Sequence, residues 1–158
     1  MKLMDIVERG AIVTDIPTGE RDDVIGILVD ALVSSGAASG AIRDELVRKI
    51  IEREEKGSTG FGKGVAVPHV KHSSVRQMRI AIGLSQKGID FSSMDRQPVY
   101  TVFLLLSPAD HPEAHLQAME AVFSRLSHDT FRRFLRQATS VADVVDLIME
   151  ADDNKLAR

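Results

Sequence analysis

Five histidines, one glycine-rich segment and one arginine are the residues of this 158-residue chain whose types and spacing could do chemistry. The segment Gly57-Ser58-Thr59-Gly60-Phe61-Gly62-Lys63-Gly64 comes close to the phosphate loop G-x-x-x-x-G-K-[ST], with Gly57, Gly62 and Lys63 in register. It fails where that chemistry is strict: position 64 is glycine, so the hydroxyl that would hold Mg²⁺ is missing. The order of elements is also reversed, because a helix precedes the loop and a strand follows it, whereas a phosphate loop runs from strand to helix. A mechanical role fits better. Four glycines in eight residues let the backbone turn tightly and approach a neighbour closely. They deliver the apolar stretch Val65–Val67, which ends in Pro68-His69.

His69 therefore stands at the carboxyl end of a strand, after a proline that can donate no ladder hydrogen bond. Strand ends of α/β sheets commonly display reactive groups, although a lone histidine there is more often structural or solvated. His72 falls three residues on, in what reads as a polar turn. His111 and His115 have the i, i+4 spacing of metal ligands, but the zinc-protease pattern H-E-x-x-H requires Glu after the first His, and that place is Pro112. With no cysteine and no evident third ligand, a metal site is discounted. His115 has a different merit, since it lies in the first turn of an expected helix, where free N–H groups favour an anion and disfavour imidazolium. His128 opens the next helix as a surface or capping residue, and Arg53, among Glu52, Glu54 and Glu55, reads on spacing alone as a solvated cation in local ion pairs of little value.

The elements that must position these residues are legible from periodicity. A short helix at Leu3–Glu8 leads to a strand at Ala11–Ile16. A helix opened by Thr18, Arg21 and Asp22 has an apolar face of Val24, Ile27, Leu28, Ala31 and Leu32, and stops at Ser34-Ser35-Gly36. A second helix from Ser39 carries Ile42, Leu46 and Ile50 on one face and closes at Gly57 in the positive-φ manner of helix ends. Strands follow at Val65–Val67, Met78–Ser85 and Val99–Leu106, and Gly88–Gln97 has room for a short strand and turn. The run Val99–Leu106 is continuously apolar, as in a strand covered on both faces. Three helices, Pro112–Leu126, Asp129–Gln137 and Val141–Glu150, finish the chain, with Pro112 preorganised for a first helical position. The expected fold is α/β: a single-domain sandwich over residues 1–158, with a mixed β-sheet flanked by helices on both sides.

Composition narrows the function. With 20 Lys+Arg against 23 Asp+Glu, the net charge of −3 argues against a nucleic-acid binder, which draws on clustered surplus cations. The first ten residues mix charged and apolar types, so no signal-peptide core is present. The longest apolar run is far shorter than the ~20 residues of a spanning helix, which argues against membrane insertion. A cytoplasmic protein is expected.

Taken together, Arg53-Glu54, the block from Gly57 to His69, and His115-Leu116 resemble the active-site signature of type-2 EIIA domains of the bacterial phosphoenolpyruvate-dependent sugar phosphotransferase system. These form the mannitol/fructose and nitrogen-regulatory family, and the likeness runs through the closing helices. One departure is Val70, where the family usually has a small residue after its active histidine. The resemblance implies that His69 accepts a phosphoryl group from the phosphohistidine carrier HPr or a nitrogen-branch paralogue. It implies that His115 and Arg53 support the transfer, and that Thr59, Gly60, Phe61, Gly62 and Pro68 shape the phosphate and partner site, with Phe61 in an apolar rim that dries it. Such a domain is a phosphotransferase component with a covalent histidine intermediate, not a free-standing catalyst, and requires no cofactor. Two roles stand open: handing phosphate to a IIB domain for fructose- or mannitol-type uptake, or regulating a kinase or transport protein. The sequence holds no IIB-like or membrane segment of its own, which favours the regulatory role.

Overall fold

In the computed structural model, which describes residues 1–154, the chain runs through β1 (Val7–Val13), α1 (Arg21–Ser34), α2 (Arg43–Lys56), β2 (Gly60–Gly62), β3 (Val65–Ala66), β4 (His69–His72), β5 (Arg79–Ile89), β6 (Val99–Pro108), α3 (Pro112–Leu126), α4 (Asp129–Gln137) and α5 (Val141–Asp152). All six strands join one mixed sheet. Its order is β1-β5-β6-β3-β2, and β4 also pairs with β6. The pair β5–β6 is antiparallel, whereas β1 runs parallel to β5, and β3 and β4 run parallel to β6.

β6 is the strand on which the two layers are organised. Phe103 and Leu105 enter one apolar core with α3, α4 and α5, while Val102, Leu104 and Leu106 enter the other with α1 and α2. Each of these side chains is fully or almost fully buried, and full burial of one such side chain contributes about 1.5–3 kcal/mol. A strand buried on both faces reads as continuously apolar, the pattern the sequence displays. The sandwich with helices on both faces is therefore the fold that the residue pattern implies.

Several local expectations give way to tertiary pairing. The helix expected at Leu3–Glu8 is a single 3₁₀ turn at Leu3–Asp5. The Asp152 carboxylate accepts the Leu3 and Met4 N–H groups at 2.8 and 3.0 Å, and β5 claims the chain from Val7 onward, so β1 begins earlier than Ala11. Gly57 does not close α2 with a positive φ; at 170° it is extended. The segment Gly88–Gln97 holds no strand of its own, because β5 runs on to Ile89 before a loop begins.

The largest correction lies at Pro68. The expected strand Val65–Val67 does not end at His69. β3 and β4 lie one after the other against β6, interrupted where Pro68 has no N–H to give, and pairing resumes with His69 opposite Leu105. The Pro68 carbonyl still accepts the Leu105 N–H at 2.9 Å. His72 is accordingly not in a polar turn. It is buried in β4, where its Nδ1 accepts the Ser74 N–H at 3.0 Å and its Nε2–H donates to Glu45 of α2 at 3.0 Å. That bond holds the Glu45 carboxyl below its ordinary pKa.

Candidate active site

Side chains of a strand alternate between faces, and in β4 this sorts the site. Val70 packs into the core beneath α1 and α2, and His72 meets α2. His69 and Lys71 face the other way, toward α3. Val70 thus departs from the family pattern at a position that fills the core on the α1 and α2 side of the strand.

His115 comes from the first turn of α3 and meets His69 with ring centroids 5.5 Å apart and planes tilted by 54°. The structure therefore brings together two histidines 46 positions apart in sequence. His115 is buried, and its Nδ1 lies 2.7 Å from the hydroxyl of Ser107, which sits opposite Lys71 in the β4–β6 register. Burial, and to a lesser degree the neighbouring His69 and Lys71, lower its pKa from 6.5 to about 4. The imidazole is therefore neutral at ordinary pH. His69 is half-buried, and its Nδ1–H donates to the Val67 carbonyl at 2.9 Å. That bond fixes the tautomer, so Nε2 carries the free lone pair.

The glycine-rich segment is a hairpin. β2 and β3 pair antiparallel through Gly60 and Ala66, and the loop between them holds Lys63 and Gly64 at φ 61° and 78°. Positive φ at both central residues is what a type I′ two-residue loop requires. Gly60 lies so close to the Ser93 hydroxyl that a Cβ would collide with it. Gly62 completes β2. Phe61 stands half-buried on the α3 side, 4.9 Å from the Phe123 ring. Beside this pair, α3 leaves Leu116 60 % and Phe123 38 % exposed, an apolar margin on the helix that carries His115.

Arg53 and Glu54 close α2 next to the hairpin. Arg53 Nη1 donates to the Gly57 carbonyl at 2.7 Å and bonds to neither histidine. Its local acids do not pair with it; Glu52 bonds Arg48 instead. Glu54 is only 3 % exposed, and both its oxygens accept from Thr59, one from the N–H at 3.0 Å and the other from the hydroxyl. His111 is exposed beside Asp110, and His128 precedes α4 without a side-chain capping bond. Lys71 and Ser107 have no place in the sequence reading, and Glu54 enters it only as part of the Arg53-Glu54 pair, with no role assigned. Glu54 had a signal: Leu46, Ile50 and Glu54 follow one another at i+4 and lie on the buried face of α2.

A mixed open sheet of this order, with helices on both faces, is the fold of IIA domains. The nitrogen regulatory protein IIA-Ntr from Neisseria meningitidis superposes with a TM-score of 0.82 at 26 % identity, covering 91 % of this chain and 97 % of that one. The mannitol IIA of Escherichia coli, solved with phosphorylated enzyme IIB, superposes at 0.77 over 91 % of this chain and 99 % of its own, and at 18 % identity this likeness concerns the fold. Residues 5–151 match the family described as phosphoenolpyruvate-dependent sugar phosphotransferase system, EIIA 2, and the chain belongs to that family. A fructose-specific EIIA component of Haloferax volcanii is 34 % identical over 85 % of this chain and 86 % of its own length. The fructose-specific EIIABC component of Bacillus subtilis is 32 % identical over 96 % of this chain, which spans 24 % of that longer protein. The nitrogen regulatory protein of Escherichia coli K12 is 37 % identical over 65 % of this chain and 64 % of its own length. Among the described residues, no helix is long and apolar enough to cross a membrane.

Proposed function

We propose that His69 is the phosphoryl acceptor of this EIIA protein, taking the group on Nε2 from HPr or a nitrogen-branch paralogue. The observation that carries the reading is the pairing of a tautomer-fixed His69 with a neutral, buried His115 at the break between β3 and β4. The Nε2 lone pair attacks phosphorus as the N–P bond of the donor breaks, and that electron pair returns to the donor imidazole. Nδ1 of His69 keeps its hydrogen throughout, so positive charge gathering on the ring meets the Val67 carbonyl oxygen.

The transition state is loose, with charge spread over three equatorial oxygens, so positioning and fixed donors are the main devices. With the Ser107 hydroxyl donating to Nδ1, His115 holds its hydrogen on Nε2 and presents it to a phosphoryl oxygen. Lys71 adds positive charge on the same strand face, and Arg53 adds it at the loop. A charge pair at 4 Å is worth about 1 kcal/mol in water and about 4 at an effective dielectric near 20. Docking of a partner against Phe61, Phe123 and Leu116 would exclude water and strengthen these contacts, with Thr59, Gly60, Gly62 and Pro68 holding the loop that frames them.

Downstream, the likeness to IIA-Ntr supports a regulatory role, in which negative charge on His69 switches docking to a kinase or transport protein. The extended match to a fructose-specific EIIA supports hand-on to a IIB domain instead, and the mannitol IIA relative was solved in complex with one. The test is transfer of label from phosphoenolpyruvate through enzyme I and HPr to wild-type protein and to His69→Ala. Acid-labile label on the His69→Ala protein would show that the nucleophile lies elsewhere. Rapid passage of label to a IIB domain separates the transport role from the regulatory one, for which a pull-down should capture a target in one phosphorylation state only.

A further inference from the structure

A buried carboxylate is costly unless its oxygens are bonded, and Glu54 occupies a place on α2 that a leucine would fill between helix and sheet. Within the described residues its side chain forms no ion pair; both oxygens are given to Thr59. From Thr59 the bonding continues toward the site. The Thr59 carbonyl accepts the Val67 N–H at 3.4 Å, and the Val67 carbonyl accepts the Nδ1–H of His69 at 2.9 Å. Pro68, between Val67 and His69, adds no N–H that could compete for either acceptor.

We propose that Glu54 is a positioning residue for His69: acting through Thr59 and Val67, it sets where the Val67 carbonyl lies and so which ring nitrogen is left free. The proposal rests on His69 being the phosphoryl acceptor. The link is one of position and not of conjugation, because the two bonds at Thr59, like the two at Val67, belong to peptide groups separated by a Cα. The far end of the hairpin has other supports, namely the Gly62–Val65 pairing and the Tyr100 N–H on the Gly64 carbonyl at 2.8 Å. Loss of the Glu54 bonds therefore loosens the end beside Val67 first. Arg53 secures the same stretch at Gly57, so adjacent residues of α2 hold both ends of Gly57-Ser58-Thr59.

The test compares wild type with Glu54→Gln, Glu54→Leu and Thr59→Val by ¹⁵N NMR of histidine-labelled, unphosphorylated protein near neutral pH. In wild type, His69 should show a protonated Nδ1 and a free Nε2. In the variants the Nδ1–H form should fall below half, and phosphoryl uptake from phospho-HPr should slow roughly tenfold at saturating donor, with little change in KM. Thr59→Ser, which keeps both donors, should retain the wild-type tautomer. If folded Glu54→Leu and Thr59→Val proteins keep the wild-type tautomer, the proposal is overturned. Should the Glu54 variants fail to fold, Thr59→Val decides alone, since it removes the hydroxyl half of the link from the other end while the residue 59 N–H keeps its bond to Glu54. A wild-type protein that takes no phosphate on His69 would refute the functional reading instead, and the tautomer comparison would still judge the role of Glu54.

Discussion

Burial of His115 against Ser107 should make the stability of the protein depend on pH in a window that this one residue defines. Folded, the imidazole takes up a proton only near pH 4, whereas in the unfolded chain it does so near 6.5. Above about 6.5 both states hold it neutral and the residue adds no pH dependence. As pH falls from there toward 4, the unfolded chain binds a proton that the folded one refuses, and stability is lost. The gap from 6.5 to about 4, at about 1.4 kcal/mol per unit, amounts to about 3 kcal/mol across the whole window. The perturbation is His115→Gln, which keeps a polar partner for Ser107 and cannot titrate. The assay is urea unfolding of both proteins at several values between about pH 7.5 and pH 4.5, where carboxylates titrate alike in the two and cancel in the difference. Wild type should lose about 2.5 kcal/mol more than the variant over this range. A stability difference that stays flat with pH would refute the reasoning, for it would mean that folded His115 titrates like a free imidazole.

Other expected outcomes bear on the same few residues. His115→Ala should slow phosphoryl transfer to His69 by roughly 10²–10³, the usual cost of losing one donor to developing oxyanion charge, as measured by rapid quench with labelled HPr. Lys71→Gln should slow it by less than about tenfold, because an exposed cation acts through water, and the difference should shrink as salt is raised. Val70→Ala should lower stability by about 2 kcal/mol in urea unfolding through the cavity left under α1 and α2, with the transfer rate of the folded protein unchanged.

The architecture was readable in the residues because its strongest signals are long and periodic. Helices at Pro112–Leu126 and Asp129–Gln137 begin and end where their apolar spacing and flanking residues say, and the unbroken apolar run of β6 marks a strand covered on both sides. What escaped depends on contacts distant in sequence. The first turn is held by Asp152, almost the whole chain away, so its local helical pattern misled. β4 is short and polar on one face, and Pro68 hides its continuity with β3; only pairing to β6 makes it a strand. Once it is one, Lys71 falls beside His69, and His72 becomes a buried residue instead of a turn residue. The meeting of His69 with His115 has no local cause at all, and entered the sequence reading through family resemblance alone. Glu54 stands in the signature beside Arg53, but its burial and its role follow only from helical phase, which charge alone does not reveal.

The alternation along β4 has a consequence for how such a protein can change. His69, the proposed acceptor, faces the storey roofed by α3, while the storey floored by α1 and α2 receives only Val70 and His72 from that strand. Substitutions around Val70, away from the Glu54 end of α2, can accumulate without redirecting the His69 ring, and the upper surface can be recut for a new visitor without disturbing the foundation. One rigid ribbon of four residues keeps the two histories apart.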